Sequence, residues 1–554
     1  MTIADLAQRR LDQILAADPL EATLIGYRDS DRHLADLSVD ADRARAAERS
    51  ALRADVQAVD PTTLSEQDVI TRDVLLASLD YADDADAADA IAYTAAAFPV
   101  SPSSMMLSYL RMVVATDGTQ ADDYLARLSE LPRYLAQAEE RLAAGRESGL
   151  TTVAHLVRMA VDQIDKFLAA PADALRITLP PDWSEAERWE ADFAGVLERD
   201  VVPAFRAHRA ALVEQSLPSA RDEEHCGLVH LPDGSERYRL LARVHTTTDR
   251  TPEELHALGL DLGARIHDEF RELGGRALGT SDLTEIFDRL QTDPQLRWNT
   301  SQEILDAAES AVRRAEAVAP QWFGRLPQAV CALAAIPELE ADGAPAAYYM
   351  QPALDGSRPG TYYSNVSEPT ERTSFDLESV AYHEAVPGHH FQISLALELP
   401  DLPVIRKLSM FTAYVEGWGL YSERLADEMG LYSDDLQRLG MLSADAWRAT
   451  RLVVDTGIHA FGWSRQRAVD FMSESTPVAD IEVQAEIDRY IAYPGQALSY
   501  MTGRLDILAQ RDKARAALGD GFDIREFHDV VLGSGALPLS VLDRLVDRWI
   551  ETRG

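Results

Sequence analysis

Three of the chain's 13 histidines fall within eight residues, in the segment His383-Glu384-Ala385-Val386-Pro387-Gly388-His389-His390. Zinc peptidases hold their metal with neutral imidazoles and place a carboxylate beside the metal-bound water. In the usual helical form of this motif, two histidines are four residues apart and a glutamate follows the first. The segment therefore predicts a zinc site in which His383 is a ligand and Glu384 carries the proton during hydrolysis.

The second histidine comes later than that motif requires. Six residues place His383 and His389 roughly 120° apart around an ideal helix, whereas seven residues return His390 to the same face but about 10 Å along the axis. Pro387 removes a backbone donor and Gly388 tolerates unusual dihedral angles, so we expect the helix to bulge or break there. The first residue after Gly388 has the shorter path back to the metal. This predicts His389 as the ligand and places His390 beside the site, bonded to substrate or to a carboxylate.

The remaining ligand is predicted about thirty residues downstream, in the segment 414–423. Glu416 and Glu423 are seven residues apart and share one face of a predicted helix. We predict that Glu416 is the third zinc ligand and that Glu423 accepts a hydrogen bond from an imidazole and orients it. A histidine cluster or a glutamate pair alone is often a solvated surface, but the Pro-Gly break and the adjacent Glu384 favour a metal site.

The same segments carry a resemblance to a known family. The chain resembles the bacterial family catalogued as domain of unknown function 885 from about residue 235 to 510, in the segments RVHTTTDRTPEELHALGL (243–260), HEAVPGHHFQ (383–392), YVEGWGLYSERL (414–425), RLVVDTGIHAFGWSR (451–465) and YPGQALSYMTGR (493–504). That family is similar to zinc peptidases with a glutamate ligand, such as dipeptidyl peptidase III, carboxypeptidase Taq and angiotensin-converting enzyme. The resemblance implies a helical, clam-like body with a deep groove and zinc-dependent hydrolysis of a peptide or related amide. The lengthened motif of dipeptidyl peptidase III also ends in Gly-His, which aligns with Gly388-His389.

The two downstream segments of this resemblance supply further candidates, each with plain packing as the alternative. The predicted donors to a tetrahedral oxyanion are His459, Tyr493 and Tyr500. The predicted clamps for a substrate carboxylate are Arg451, Arg465 and Arg504, for which surface salt bridges are an equally good role. The strand that contains Tyr363, around 361–365, is a candidate to bind an extended peptide by backbone pairing.

The elements that must position these residues are mostly helices. Apolar residues recur at helical spacing through the first 220 residues, with a break or kink expected at Pro132. Thr251-Pro252-Glu253-Glu254 predicts a helix start. Short aromatic runs at 346–350 and 361–365 predict a strand pair. The expected fold is mainly α, a large helical clam-like body with one small β-sheet beside the active-site helix, divided into an N-terminal helical lobe (1–220) and a catalytic lobe (221–554).

The charge and composition of the chain disfavour several classes of partner and site. The formal net charge of −39 disfavours nucleic acid and anionic membranes as partners. No apolar stretch of 18 residues and no secretory signal are recognisable, so a cytoplasmic protein is expected. Cys226 and Cys331 form no disulfide framework and no thiolate zinc site.

Three functions stay open at this stage. The leading prediction is a zinc exopeptidase or oligopeptidase that acts on a peptide or small amide. The alternatives are a zinc amidohydrolase that cleaves a non-peptide amide, and a non-catalytic helical binding protein with a vestigial zinc. An intact Glu384 argues against the last, since a structural zinc needs no general base. The chain-end preference, the substrate and the oligomeric state stay open.

Overall fold

The structure, a computed structural model, describes residues 1–337, 345–352 and 358–553. It is mainly α with one small sheet, as predicted. The N-terminal helices are α1 (Ile3–Ala17), α2 (Pro19–Leu24), α3 (Val39–Gln57), α4 (Glu66–Ala88), α5 (Pro102–Tyr109), α6 (Gly118–Leu128), α7 (Leu131–Glu147), α8 (Ala154–Ala169), α9 (Pro171–Leu175), α10 (Ala186–Val196) and α11 (Val202–Ala211). The break expected at Pro132 is confirmed, since α6 ends and α7 begins on either side of Ser129 and Glu130.

The rest of the chain carries the longer helices and the sheet. The remaining elements are α12 (Gly234–Thr246), α13 (Pro252–Ala277), α14 (Leu283–Thr292), α15 (Ser301–Val318), β1 (Ala332–Ala335), β2 (Ala347–Met350), β3 (Thr361–Ser364), α16 (Leu377–Glu384), α17 (His389–Glu398), α18 (Val404–Leu408), α19 (Thr412–Glu428), α20 (Asp435–His459), α21 (Arg465–Ser475), α22 (Asp480–Ala492), α23 (Ser499–Leu518), α24 (Ile524–Leu532) and α25 (Leu539–Arg553). The predicted start of α13 is confirmed, because Thr251 and Glu254 form a capping box.

The sheet has three strands in the order β1-β3-β2. The predicted strand pair is confirmed: β2 runs antiparallel to β3, with Ala347 opposite Ser364. The third strand, β1, was not predicted and pairs with β3 in parallel. The prediction that residues 361–365 bind a peptide by backbone pairing is wrong, because β3 lies in the centre of the sheet and pairs on both sides.

The hydrophobic core crosses the predicted lobe boundary at residue 220. Ala96 and Val153 share a cluster with Val454 and Ile458, and Ile405 packs with side chains of α1, α3 and α4. The two segments thus share buried surface, and their division into lobes stays a prediction. Within the described ranges, no helix combines the length and the apolar character that crossing a bilayer requires.

Candidate metal centre

Three side chains from three helices bring one ligand atom each to the same place. His383 lies in the last turn of α16, His389 begins α17 and Glu416 lies in the first turns of α19. His383 Nε2 lies 3.6 Å from Glu416 Oε2, and His389 Nε2 lies 3.5 Å from the same oxygen. All three ligand atoms lie within 4.8 Å of one another. The imidazoles are buried, whereas Glu416 is partly accessible, so the cluster keeps a side open to solvent.

The helix break between the two histidines makes this geometry possible. After Glu384, the backbone leaves the helix through a cis Val386–Pro387 peptide and re-enters it at His389. A Cβ on Gly388 would lie 1.8 Å from the carbonyl oxygen of His383, so only glycine permits this turn. The Trp418 indole N–H donates to the carbonyl oxygen of Pro387 (2.8 Å) and ties the turn to α19. The predicted distortion is thus a complete break into two helices.

A second glycine gives the imidazoles their space on α19. A Cβ at Gly419 would lie 2.7 Å from His383 Nε2 and 3.0 Å from His389 Cε1. Gly419 is one turn beyond Glu416, so the helix that supplies the carboxylate is pressed against both rings. The sequence Glu416-Gly417-Trp418-Gly419 therefore combines a predicted ligand with the clearance that the two imidazoles need.

Glu423 orients the first imidazole. His383 Nδ1–H donates to Glu423 Oε1 (2.7 Å), and the Ser379 hydroxyl donates to Glu423 Oε2 (2.7 Å). This bond holds the ring so that Nε2 faces Glu416, an orientation that is usual for metal-binding histidines. Burial disfavours the charged ring, but the hydrogen bonds to Glu416 and Glu423 outweigh it and raise the pKa of His383 to about 10. The carboxylates around His383 therefore favour a positive charge at this position.

The donor set fits Zn²⁺. For bonds of 2.0–2.1 Å, the edges of a tetrahedron are about 3.3–3.4 Å long, close to the two separations from Glu416. Two imidazole nitrogens and one carboxylate oxygen are ligands that zinc accepts, with a position left for water. His389 Nδ1 is buried and has no hydrogen-bond partner among the described residues, so His389 lacks the orienting partner that His383 has.

Glu384 lies beside the cluster and is held by the sheet. The backbone N–H of Tyr349, in β2, donates to Glu384 Oε2 (3.0 Å). His390 stands behind the same strand: its Nδ1 lies 3.1 Å from the Tyr349 hydroxyl and its Nε2 lies 3.1 Å from the carbonyl oxygen of Ala329. His390 therefore supports the edge of the sheet, and the expectation that it bonds to a carboxylate is wrong.

Comparison with known proteins places the chain in a family. The model of a family of bacterial proteins of unknown function, DUF885, matches residues 19–546. The chain belongs to the DUF885 family. No protein with a curated description matches it.

Two solved structures share the fold of this DUF885 protein. A "putative lipoprotein" from Colwellia psychrerythraea is 29% identical, with 99% of each chain covered and a TM-score of 0.88. A "putative lipoprotein of unknown function" from Shewanella oneidensis is 19% identical, with 98% of this chain and 99% of that chain covered and a TM-score of 0.76, and shows the fold alone. Neither description assigns a reaction.

The prediction that His459 donates to an oxyanion is wrong for this DUF885 protein. His459 is fully buried, its Nδ1 accepts from the backbone N–H of Leu228 (3.2 Å), and its Nε2 donates to the carbonyl oxygen of Tyr490 (3.0 Å). Burial lowers the pKa of His459 to about 3, so the ring stays neutral. Both ring nitrogens are used by the fold, and the packing alternative holds.

For two of the three arginines, the prediction that they clamp a substrate carboxylate is also wrong. Arg465 makes two hydrogen bonds to Asp488 (2.6 and 2.9 Å). Arg504 is buried against Asp445, which also binds a second arginine, Arg424. Both guanidiniums therefore neutralise buried carboxylates of the protein and are not directed at a ligand.

Four candidate residues remain, and each lies in different surroundings. Tyr363 lies in β3 and stacks on Tyr348, with ring centroids 5.1 Å apart. Tyr493 is 38% exposed and packs edge-on against His245. Tyr500 and Arg451 contact each other, with the guanidinium carbon 4.5 Å from the ring centroid.

Sequence reasoning missed three residues that shape the centre. Ser379 donates a hydrogen bond to Glu423. Gly419 leaves space for the imidazoles, and Tyr349 binds Glu384. Ser379 is four residues before His383 on one helix, a spacing that places both on the same face, and so carried a usable signal. Tyr349 acts through its backbone N–H, which no residue type reveals.

Proposed function

We propose that this protein is a zinc-dependent hydrolase, a metallopeptidase that cleaves peptide or related amide bonds. The observation that carries the proposal is the convergence of His383 Nε2, His389 Nε2 and Glu416 Oε2, with both nitrogens at nearly tetrahedral separations from the carboxylate oxygen. The carboxylate of Glu384 stands beside them, as a general base requires. A purely structural metal site would need neither that carboxylate nor an open side.

The chain's own residues then have defined roles. Zn²⁺ bound by His383, His389 and Glu416 would supply an acidified water and polarise a carbonyl. Glu384 would accept a proton at Oε1, since Oε2 is fixed by the N–H of Tyr349, and later deliver it to the leaving amine. Glu423 would hold the His383 ring in one orientation throughout.

The position of β2 at the edge of the sheet formed by the described residues favours a peptide as the substrate. In antiparallel pairs, successive residues direct their N–H and C=O groups to opposite sides. Ala346 O accepts from Asn365 N, on the β3 side, whereas Tyr349 N–H points to Glu384. Ala347 has the parity of Tyr349, so its backbone groups face the edge away from β3. An extended peptide that pairs there would bring a backbone carbonyl close to Glu384.

A single experiment tests this function. Purified protein is analysed for metal content and incubated with a peptide library, with and without a chelator and after zinc is restored. We expect bound zinc and chelator-sensitive cleavage; versions of the library with blocked N- or C-termini then show whether a free chain end is required. Chelator-sensitive cleavage of non-peptide amides alone would favour an amidohydrolase, and zinc without any cleavage would favour a binding protein.

Paired variants test the ligand assignment. His389→Ala should be isolated largely without zinc, because a ligand is lost, whereas His390→Ala should keep it, because His390 binds Tyr349 and Ala329. The opposite pattern would contradict the assignment. A cytoplasmic location stays a prediction, and the lipoprotein descriptions apply to the two proteins of similar fold.

A further inference from the structure

Tyr500 lies on α23, the helix that crosses α19 close to Glu416. A Cβ on Gly417 of α19 would lie 2.5 Å from the Cα of Gly503 of α23, so the two backbones touch. Glu416 precedes this contact by one residue, and Tyr500 precedes it by about one helical turn. Burial raises the pKa of Tyr500, and the negative charge of Glu416 raises it further.

Arg451 covers the ring of Tyr500. Its guanidinium carbon lies 4.5 Å from the Tyr500 ring centroid and 4.8 Å from that of Trp447, so two aromatic rings bracket one cation. Arg451 Nη2 donates to Glu486 Oε2 (2.9 Å) and Nε donates to the Tyr490 hydroxyl (2.8 Å). Arg451 is 4% exposed, and its guanidinium is therefore fixed by α22 before any ligand arrives.

The side-chain amide of Gln496 also interacts with the Tyr500 hydroxyl. Arg489 Nη1 donates to Gln496 Oε1 (2.6 Å), which sets the orientation of that amide. The NH₂ group of Gln496 is then free to donate to Tyr500, four residues along, and this interaction lowers the pKa of the phenol. A phenol that accepts from Gln496 has its own proton left to donate elsewhere.

We propose that Arg451, held by Glu486, is a positioning residue that fixes the Tyr500 ring so that its hydroxyl donates a hydrogen bond toward the His383–His389–Glu416 cluster. This inference rests on the proposed function, since the acceptor would be the oxyanion of the reacting carbonyl. It also reassigns Arg451, which was predicted to clamp a substrate carboxylate. The cation, the ring and the amide come from α20, α23 and the turn before α23, so the arrangement is built by the fold.

A spectroscopic test reads the contact without any turnover. A Tyr500→3-fluorotyrosine protein gives one fluorine signal, whose shift against pH reports the ionisation of that phenol alone. The facing groups are the cations of Arg451 and Arg489 and the anion of Glu416. Removing the nearest cation by Arg451→Met should raise the midpoint by about one to two pH units.

The matched control is Arg465→Met, which also removes a buried arginine from an ion pair with α22 but leaves the Tyr500 ring untouched. Its midpoint should equal that of the parent protein. Equal midpoints in the parent and Arg451→Met proteins would overturn the proposal, whether or not the protein hydrolyses peptides.

A double-mutant cycle separates positioning from substrate binding. Tyr500→Phe should lower kcat for a peptide identified from the library by roughly 10²–10³-fold, as the loss of an oxyanion donor does. Arg451→Lys keeps a cation for Glu486 and removes the planar stack, so it also serves if Arg451→Met does not fold. It should lower kcat about tenfold alone and have no further effect in Tyr500→Phe. A raised KM that persists in Tyr500→Phe would show that Arg451 binds a substrate carboxylate, and would overturn the proposal.

Discussion

The clearance at Gly419 makes a sharp prediction for Gly419→Ala. The added methyl would lie 2.7 Å from His383 Nε2 and Cε1, whereas ordinary contacts begin at 3.4 Å. The ring or the helix must therefore move by about 0.7 Å, several times the ~0.2 Å tolerance of a zinc ligand. Movement of α19 would not restore the site, because it carries Glu416 away as well.

The expected result is a large loss of zinc affinity in a folded protein. Disturbing only the orientation of a ligand typically costs about 10–100-fold in affinity, so displacing an imidazole should cost at least about 100-fold. The metal-free variant should keep its secondary structure, since alanine is about 0.5–1 kcal/mol better than glycine within a helix. The assay is a competition titration with a chromophoric zinc chelator, alongside thermal melting of the metal-free proteins.

Gly263→Ala is the control, because Gly263 lies within α13 and a Cβ there meets nothing within 4 Å. It should gain the same helical preference and bind zinc as the parent does. Parent-like zinc affinity in Gly419→Ala would refute the steric reasoning, and unfolding of the metal-free variant would show that the clash acts on the fold instead.

Three further predictions follow from the site and from the buried core. Glu384→Gln should keep zinc and lose hydrolysis, a barrier increase of several kcal/mol, about 10²–10⁴-fold in kcat; metal analysis and turnover are measured on the same sample. Glu416→Ala should lose zinc far more completely than Glu423→Ala, whose loss should be about 10–100-fold; titration of both variants decides, and the reverse order would exchange their roles. Burial raises the pKa of Asp455 from 3.8 to about 7 in the native state. Between these two values the native state binds a proton that the unfolded state has lost, so the free energy of unfolding falls as pH rises from about 4 to about 7. Asp455→Asn should lose this fall, and urea unfolding at pH 5 and pH 8 should show the parent losing about 2–3 kcal/mol more than the variant.

The convergence of His383, His389 and Glu416 could be predicted because its signals are local. His383, Glu384 and His389 are close in sequence, and Pro387-Gly388 predicts the break that brings the imidazoles together. Glu416 and Glu423 are seven residues, or about two helical turns, apart, and this spacing predicts that both carboxylates face the same side of the helix. The structure places Glu423 beside Nδ1 of His383, the ring nitrogen that is turned away from Glu416.

The errors concern residues whose partners are distant in sequence. Nothing near Arg465, Arg504 or His459 reveals that Asp488, Asp445 and the Leu228 backbone occupy their polar atoms. Such pairing depends on how helices pack, which residue types alone do not encode. The strand Ala332–Ala335 was missed for the same reason: it has no β-branched or aromatic residue, and its partner in the parallel pair, β3, begins 26 residues later.

The three ligand atoms come from three separate helices, and this has a consequence for stability. Both cysteines are free, so no covalent bond ties these segments together. An ion held by His383, His389 and Glu416 would act as a reversible cross-link between α16, α17 and α19, and would stabilise the native state in proportion to the logarithm of its concentration. Local opening of any one of these helices would then require release of the ion, so the three would open as one cooperative unit. Adding zinc should slow amide hydrogen exchange in all three helices together, while helices of the N-terminal segment keep their rates.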